Sequence, residues 1–131
     1  MELTTKVLDL LRGRVTCYIA TTMPDGSPQL TQVWADTDGA HVVINTVAGF
    51  QKLRNVERDP RVAIALSDPA DPSSYVQIRG RVVETTEEGA REHIDELAQK
   101  YLGRPYPNFS GQPETRRILR IAADSINHAP W

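Results

Sequence analysis

VTCYIATT at 15–22, MPDGSP at 23–28 and PQLTQVWAD at 28–36 form the stretch on which the fold turns. The first run is β-branched and aromatic, the second carries an Asp25-Gly26 turn signal, and the third alternates apolar with polar side chains. Together they read as a β-hairpin. A second turn signal, Asp38-Gly39, leads into HVVINT at 41–46 and adds a third consecutive strand, which makes a meander. Further along, RVAIALS at 61–67 reads as a compact apolar strand. YVQIRGRVVET at 75–85 is a longer one after the DPADPSS loop, and TRRILRIAA at 115–123 is a sixth. Gly80, inside the fifth strand, marks a bulge or a tight barrel corner.

Three helical segments punctuate these strands. Thr4 or Thr5 caps a short first helix whose apolar side is Val7, Leu8, Leu10 and Leu11, and Gly13 stops it. AGFQKLRNVER at 48–58 repeats Phe50, Leu53 and Val56 at threes, a narrow helical stripe ended by Asp59-Pro60. Thr85 and Glu88 form a T-x-x-E capping box, after which Ala90, Ile94, Leu97, Ala98, Tyr101 and Leu102 share one helical face until Gly103. Six short antiparallel strands without a βαβ rhythm are expected to close into a small barrel, because closure removes sheet edges. The predicted fold class is therefore mainly β, a six-stranded antiparallel barrel with a few peripheral helices, in a single domain over 1–131.

The 131 residues suffice for one domain, and 15 Lys+Arg against 17 Asp+Glu leave a formal charge of −2. That balance argues against a general nucleic-acid or membrane-surface binder, while leaving room for a local basic patch. A domain this small buries only about two-thirds of its unfolded-state surface, so a dimer would help it. The single cysteine, Cys17, rules out an intrachain disulfide framework and a CxxC metal clip, and a cytoplasmic setting is expected. No apolar run approaches the roughly 18 residues of a membrane span, nothing reads as a targeting signal, and there is no internal repeat. The Pro-rich pieces at 68–73 and 105–113 are too short to be interdomain linkers.

Candidate chemistry is sparse. His41, His93 and His128 lie far apart and none has a second ligand at metal-type spacing, so no metal is expected. Cys17 has no cationic neighbour in sequence and reads as an inert thiol. The acidic run at 84–96 reads as a solvated helix face, and no Ser-His-Asp order, Walker loop or GxGxxG is found. What stands out is the segment at 50–61, where Lys52, Arg54, Arg58 and Arg61 against Glu57 and Asp59 give a local charge of +2. Lys52 falls just inside a helix that follows a strand, where free backbone N–H groups and a cation together suit a phosphate. An ion-paired, solvated helix face is the competing reading.

The ordered strings PDGSPQLTQVWAD at 24–36, HVVINTVAGFQKLRNVERDPRVAIAL at 41–66 and YVQIRGRVVE at 75–84 resemble the split β-barrel flavin and deazaflavin oxidoreductases, the pyridoxamine 5'-phosphate oxidase-like superfamily. The resemblance covers about residues 10 to 123, and YLGRPYP at 101–107 is similar to actinobacterial members that use coenzyme F420. It implies a split β-barrel homodimer with two cofactors at the subunit interface, the ring across barrel strands and the phosphate near the strand-to-helix junction.

By this resemblance Lys52 is the phosphate-binding lysine, with Gln51, Arg54 and Asn55 beside it. Asn45 and Thr46 form the strand end near the ring or ribityl chain, and Gln32, Val33 and Trp34 edge the ring. Gln77 or Arg79 reaches the partner's cofactor. A core aromatic is the other reading of Trp34. Phe50, also placed at the cofactor, stands two before Lys52, where some relatives carry a basic or hydroxyl residue, so phosphate affinity rests more on Lys52 and backbone amides. The C-terminal SINHAPW at 125–131 lacks the basic ending of the vitamin B6 oxidases.

The implied activity is hydride transfer from C5 of reduced F420 to an electron-poor unsaturated small molecule such as an enone or lactone. The alternatives are an FMN-dependent oxidase or reductase of the same fold, and a non-catalytic coenzyme carrier or sensor. No residue presents itself as the proton donor, and the loops at 68–74 and 103–113 are the candidate specificity elements.

Overall fold

The computed structural model describes residues 1–129. The chain runs α1 (Thr5–Arg12), β1 (Thr16–Thr22), β2 (Pro28–Val33), β3 (Ala35–Thr37), β4 (Val42–Val47), α2 (Gln51–Arg58), β5 (Arg61–Asp68), β6 (Asp71–Thr86), α3 (Ala90–Leu102) and β7 (Arg116–His128). The strands form one antiparallel sheet in the order β2-β1-β5-β6-β7-β4-β3. β2 and β3 are separated in sequence by Trp34 alone, yet they occupy opposite ends of that order. The sheet must therefore curl until its two ends meet at Trp34, and the closure is covalent rather than hydrogen-bonded. This is a split barrel. Among the described residues it has seven strands where six were expected, because PQLTQVWAD does not run straight: its first part pairs with β1 and its last part with β4.

Period-two alternation fills the interior. Cys17 and Ile19 of β1 stand opposite Leu66 and Ile64 of β5, and all four are buried. Val7 and Leu11 of α1 and Leu53 and Val56 of α2 join the same core. β4 is buried along its whole length: Val42 and Ile44 face the barrel core, while Val43 packs outward against Ala90 of α3 and Ile118 of β7.

The first helix is capped by Thr4, whose hydroxyl accepts from the Val7 N–H. The expected capping box does not form. β6 keeps pairing with β7 through Thr86, so the Thr85 backbone is committed to the ladder, and α3 instead begins after Gly89 at φ 73°. Leu102, expected on the buried face of α3, is exposed. α2 begins at Gln51 rather than Ala48, because the chain first turns through Gly49 (φ 95°) with the Phe50 N–H donating to the Val47 carbonyl. The 68–74 loop shrinks to a turn at Pro69-Ala70, and the last strand runs on to His128. Of the C-terminal SINHAPW, Pro130 and Trp131 lie outside the described residues. Among the described residues no helix is long and apolar enough to cross a membrane.

Candidate functional site

The strand-to-helix junction β4–α2 sets the first half of the site. The first helical bond of α2 runs from the Arg54 N–H to the Phe50 carbonyl, and Phe50 offers no side-chain cap. The N–H groups of Gln51, Lys52 and Leu53 precede that bond and lack intrahelical acceptors. Lys52 is half-buried, and among the described residues no carboxylate or carbonyl pairs with its ammonium group. Desolvation pulls its pKa below the usual lysine value. Nearby, the hydroxyl of Thr46, at the end of β4, is buried and has no hydrogen-bond partner among the described residues. An unpaired cation and an unsatisfied buried hydroxyl in one place are costly in an empty protein and favourable around a polar, anionic ligand.

Both residues line a cavity of about 410 Å³, within the range of small-molecule pockets. Its other half comes from distant sequence. Trp34, at the barrel split, stacks on Tyr101 of α3 with centroids 5.4 Å apart and planes 7° from parallel. Phe109 meets Trp34 edge-on at 6.2 Å and Tyr106 at 5.7 Å. At the start of β7, Arg116 spreads over the Tyr106 ring, 4.5 Å from its centroid. Arg14, Lys52 and Arg116 are the charged residues of the lining, which contains no carboxylate among the described residues.

Of the sequence-predicted site residues, the fold brings Gln32, Val33, Trp34, Asn45, Thr46, Phe50 and Lys52 to this cavity. Gln51, Arg54, Asn55 and Gln77 do not line it. Asn55 is fully buried, its amide donating to Thr21 Oγ1 at 3.0 Å and its carbonyl accepting from Gln51 Nε2 at 2.8 Å. Arg54 donates to Gln51 Oε1 at 2.7 Å on the exposed side of α2. Gln77 sits on the outer sheet face, in register with Ala65. Asn45 reaches the cavity but is clamped from behind: its amide donates to the Ala90 carbonyl at 2.9 Å and to His93 Nδ1 at 3.1 Å, and its oxygen accepts from Arg116 at 3.3 Å.

Sequence reasoning missed Arg14, Tyr101, Tyr106, Phe109 and Arg116. The YLGRPYP piece contained two of them, but nothing local shows that a loop after α3 folds back over Trp34. Cys17 also lines the cavity; burial pushes its thiol up to about 12, so it stays protonated and is no nucleophile. Tyr101 is fixed by donating to the Val15 carbonyl at 2.8 Å and accepting from the Ala35 N–H at 3.2 Å. Among the described residues no cluster of His, Cys, Asp and Glu suits a metal ion. An aromatic wall, a carboxylate-free lining and an unpaired cation beside free helix N–H groups fit a planar ring with an anionic tail.

The family model for pyridoxamine 5'-phosphate oxidase matches residues 3–129. No curated protein sequence matches the chain. Among solved structures, an F420 reductase superposes with a TM-score of 0.80 at 25% identity, covering 95% of this chain and 98% of that one. A conserved hypothetical protein from Mycobacterium tuberculosis superposes at 0.73 with 28% identity, covering 98% of this chain and 84% of that one. General stress protein 26 from Bacillus anthracis, at 0.69 and 18% identity, shares the fold over 94% of this chain and 90% of its own.

Proposed function

Because the chain belongs to the pyridoxamine 5'-phosphate oxidase family, whose members are flavin- or deazaflavin-binding oxidoreductases, we propose that it is a reductase that binds coenzyme F420 and reduces an electron-poor unsaturated small molecule such as an enone or lactone. The observation that carries this reading is the Lys52 ammonium, half-buried and unpaired at a cavity that also holds the unsatisfied Thr46 hydroxyl. The likeness to an F420 reductase at 25% identity favours the deazaflavin over FMN.

When bound, the reduced deazaflavin supplies a hydride from C5. Lys52 and the free N–H groups of α2 hold the phosphate, and Thr46 offers its hydroxyl to the chain that links phosphate and ring. Trp34, Phe109 and Tyr106 exclude water and orient the acceptor, which converts a collision into an aligned encounter.

The same reading makes the protein a cytoplasmic homodimer with two cofactors at the subunit interface. Gln32, at the cavity, is in register with Tyr18 of β1, and Tyr18 with Ala65 of β5, itself opposite Gln77 of β6. A second copy laid on that row would adjoin the cavity, and Gln77 would then face the partner's cofactor.

Side-by-side titrations with coenzyme F420, FMN and FAD test the proposal. F420 is expected to bind at least about tenfold more tightly than FMN, a difference of about 1.4 kcal/mol. Reduced F420 should also be oxidised by an enone in the protein's presence. Tighter binding of FMN moves the assignment to a flavin enzyme, and F420 binding without turnover of any acceptor leaves a carrier.

A further inference from the structure

Resting on that reading, we propose that Tyr106 is the proton donor of the reduction, its hydroxyl protonating an α,β-unsaturated carbonyl acceptor while Arg116 holds the phenolate left behind. Tyr106 and Arg116 line the main cavity and also a second hollow of about 40 Å³ adjoining it, completed by Glu114, Asn108, Arg91 and Ile94. Apart from Ile94 its lining is polar, and it is large enough for a water molecule. Tyr106 thus stands between the space for the acceptor and a space that can return a proton.

The hydrogen bonds around Tyr106 suit the role. Arg116 Nη2 donates to the Tyr106 hydroxyl, while its Nη2 and Nε are anchored on Glu114 Oε1 at 2.8 and 3.2 Å. The hydroxyl's own proton reaches Glu114 Oε2 across a long 3.3 Å, where Ser110 already donates at 2.9 Å. It is therefore only loosely held. The Tyr106 N–H donates to Asp95 Oδ1 at 3.0 Å, which ties the loop to α3 and fixes the side chain's starting point.

Tyr101 and Cys17, the other cavity residues with a weakly acidic neutral proton, are excluded by their surroundings. The Tyr101 proton is committed to the Val15 carbonyl, with the phenol pushed up to about 12 by burial. Cys17 is held protonated at a similar height. Burial, and after it the facing Glu114 carboxylate, raise Tyr106 against the opposing pull of Arg116, so it carries its proton at neutral pH.

A hydride from the reduced coenzyme forms a C–H bond at the β-carbon of the acceptor, and the carbon–carbon π pair moves onto the carbonyl unit. The coenzyme is oxidised by two electrons and the acceptor reduced by two. The enolate takes the Tyr106 proton, the O–H bond of the phenol breaks, and water in the hollow reprotonates the phenolate, which Arg116 stabilises meanwhile.

Tyr106→Phe keeps the ring on Arg116 and Phe109 and removes only the hydroxyl. It is expected to bind oxidised F420 like the wild type and to lower kcat with cyclohexenone by about 100-fold or more. Binding of para-nitrophenolate, a stable mimic of the enolate oxygen, should weaken by about tenfold. Replacing Tyr106 by a fluorotyrosine should move the alkaline limb of the kcat profile down by the change in the phenol's own pKa, an effect that a packing role would not produce. This also serves as the test should Tyr106→Phe fold poorly. Unchanged kcat and para-nitrophenolate binding in Tyr106→Phe, or an unmoved limb, would overturn the assignment with the coenzyme reading intact. A wild type that takes up neither F420 nor FMN, seen before any acceptor is added, overturns both.

Discussion

Lys52 carries a charge that the ligand-free fold does not compensate. Burial favours its neutral form. Between its lowered folded value and the ordinary 10.5, the unfolded chain therefore binds more protons, and stability rises as pH climbs through that window. At neutral pH the buried charge is a destabilising feature retained for binding. Lys52→Met should raise the stability of the ligand-free protein by about 0.5–2 kcal/mol while weakening coenzyme binding by at least about tenfold. Thermal unfolding and titration measure the two effects, and a loss of stability would make Lys52 a structural residue.

His93 is the second residue whose state the structure fixes. The Asn45 oxygen faces a pure donor, Arg116, and its amide nitrogen a pure acceptor, the Ala90 carbonyl. The amide therefore donates to His93 Nδ1, which must be unprotonated, leaving the proton on a buried Nε2 that has no partner among the described residues. Burial lowers the His93 pKa below 6.5, so stability present above that pH is lost as pH falls. The carboxylates held low act only in more acidic solution. Comparing unfolding free energies at about pH 7 and about pH 5 should show the loss in the wild type and a smaller one in His93→Gln, which keeps an acceptor for Asn45. Equal losses would place the sensitivity elsewhere.

At the scale of the element, the β6–β7 pair depends on one glycine. A Cβ at Gly80 would lie 2.2 Å from the Ala122 carbonyl oxygen, a backbone atom in a ladder that cannot give way. The register shifts at this point, Arg79 facing Ser125 and Gly80 facing Ala123, so Asp124 has no opposite residue. This bulge was legible from the sequence, since glycine inside an apolar strand has few other reasons to be there. Gly80→Ala should destabilise the fold by about 3 kcal/mol through overpacking, read from the urea midpoint. A change under about 0.5 kcal/mol would mean that the ladder adapts. The failed capping box shows the opposite case: Thr85 and Glu88 matched a local rule, but continued pairing of β6 with β7 outweighed a cap of about 1 kcal/mol. Trp34 likewise reads as one more residue of a strand, and only the curl of the whole sheet makes it a corner.

For the molecule as a whole, the outer face of β1, β5 and β6 is the informative surface. Its rows carry small side chains, Ala20, Ala63 and Ala65, between Tyr18 and the polar Gln77 and Arg79. Such a flat face permits close approach of a second sheet. Sedimentation velocity should give twice the monomer mass for the wild type and the monomer for Ala65→Arg, with coenzyme affinity lost in the variant. A monomeric wild type that still binds F420 would show that one chain completes the site.

The sequence by itself determined six strand-forming segments, three helical segments and the lysine at the strand-to-helix junction, because each of these rests on side chains a few residues apart. It also carried enough family likeness to name the barrel. Only the tertiary structure decided what faces Lys52. Asn45 and Arg116 are 71 residues apart, and Trp34 meets Phe109 only because the curled sheet brings its two ends together beneath the loop after α3. Contacts of that kind follow from closure of the whole chain, and no local pattern of residues encodes them.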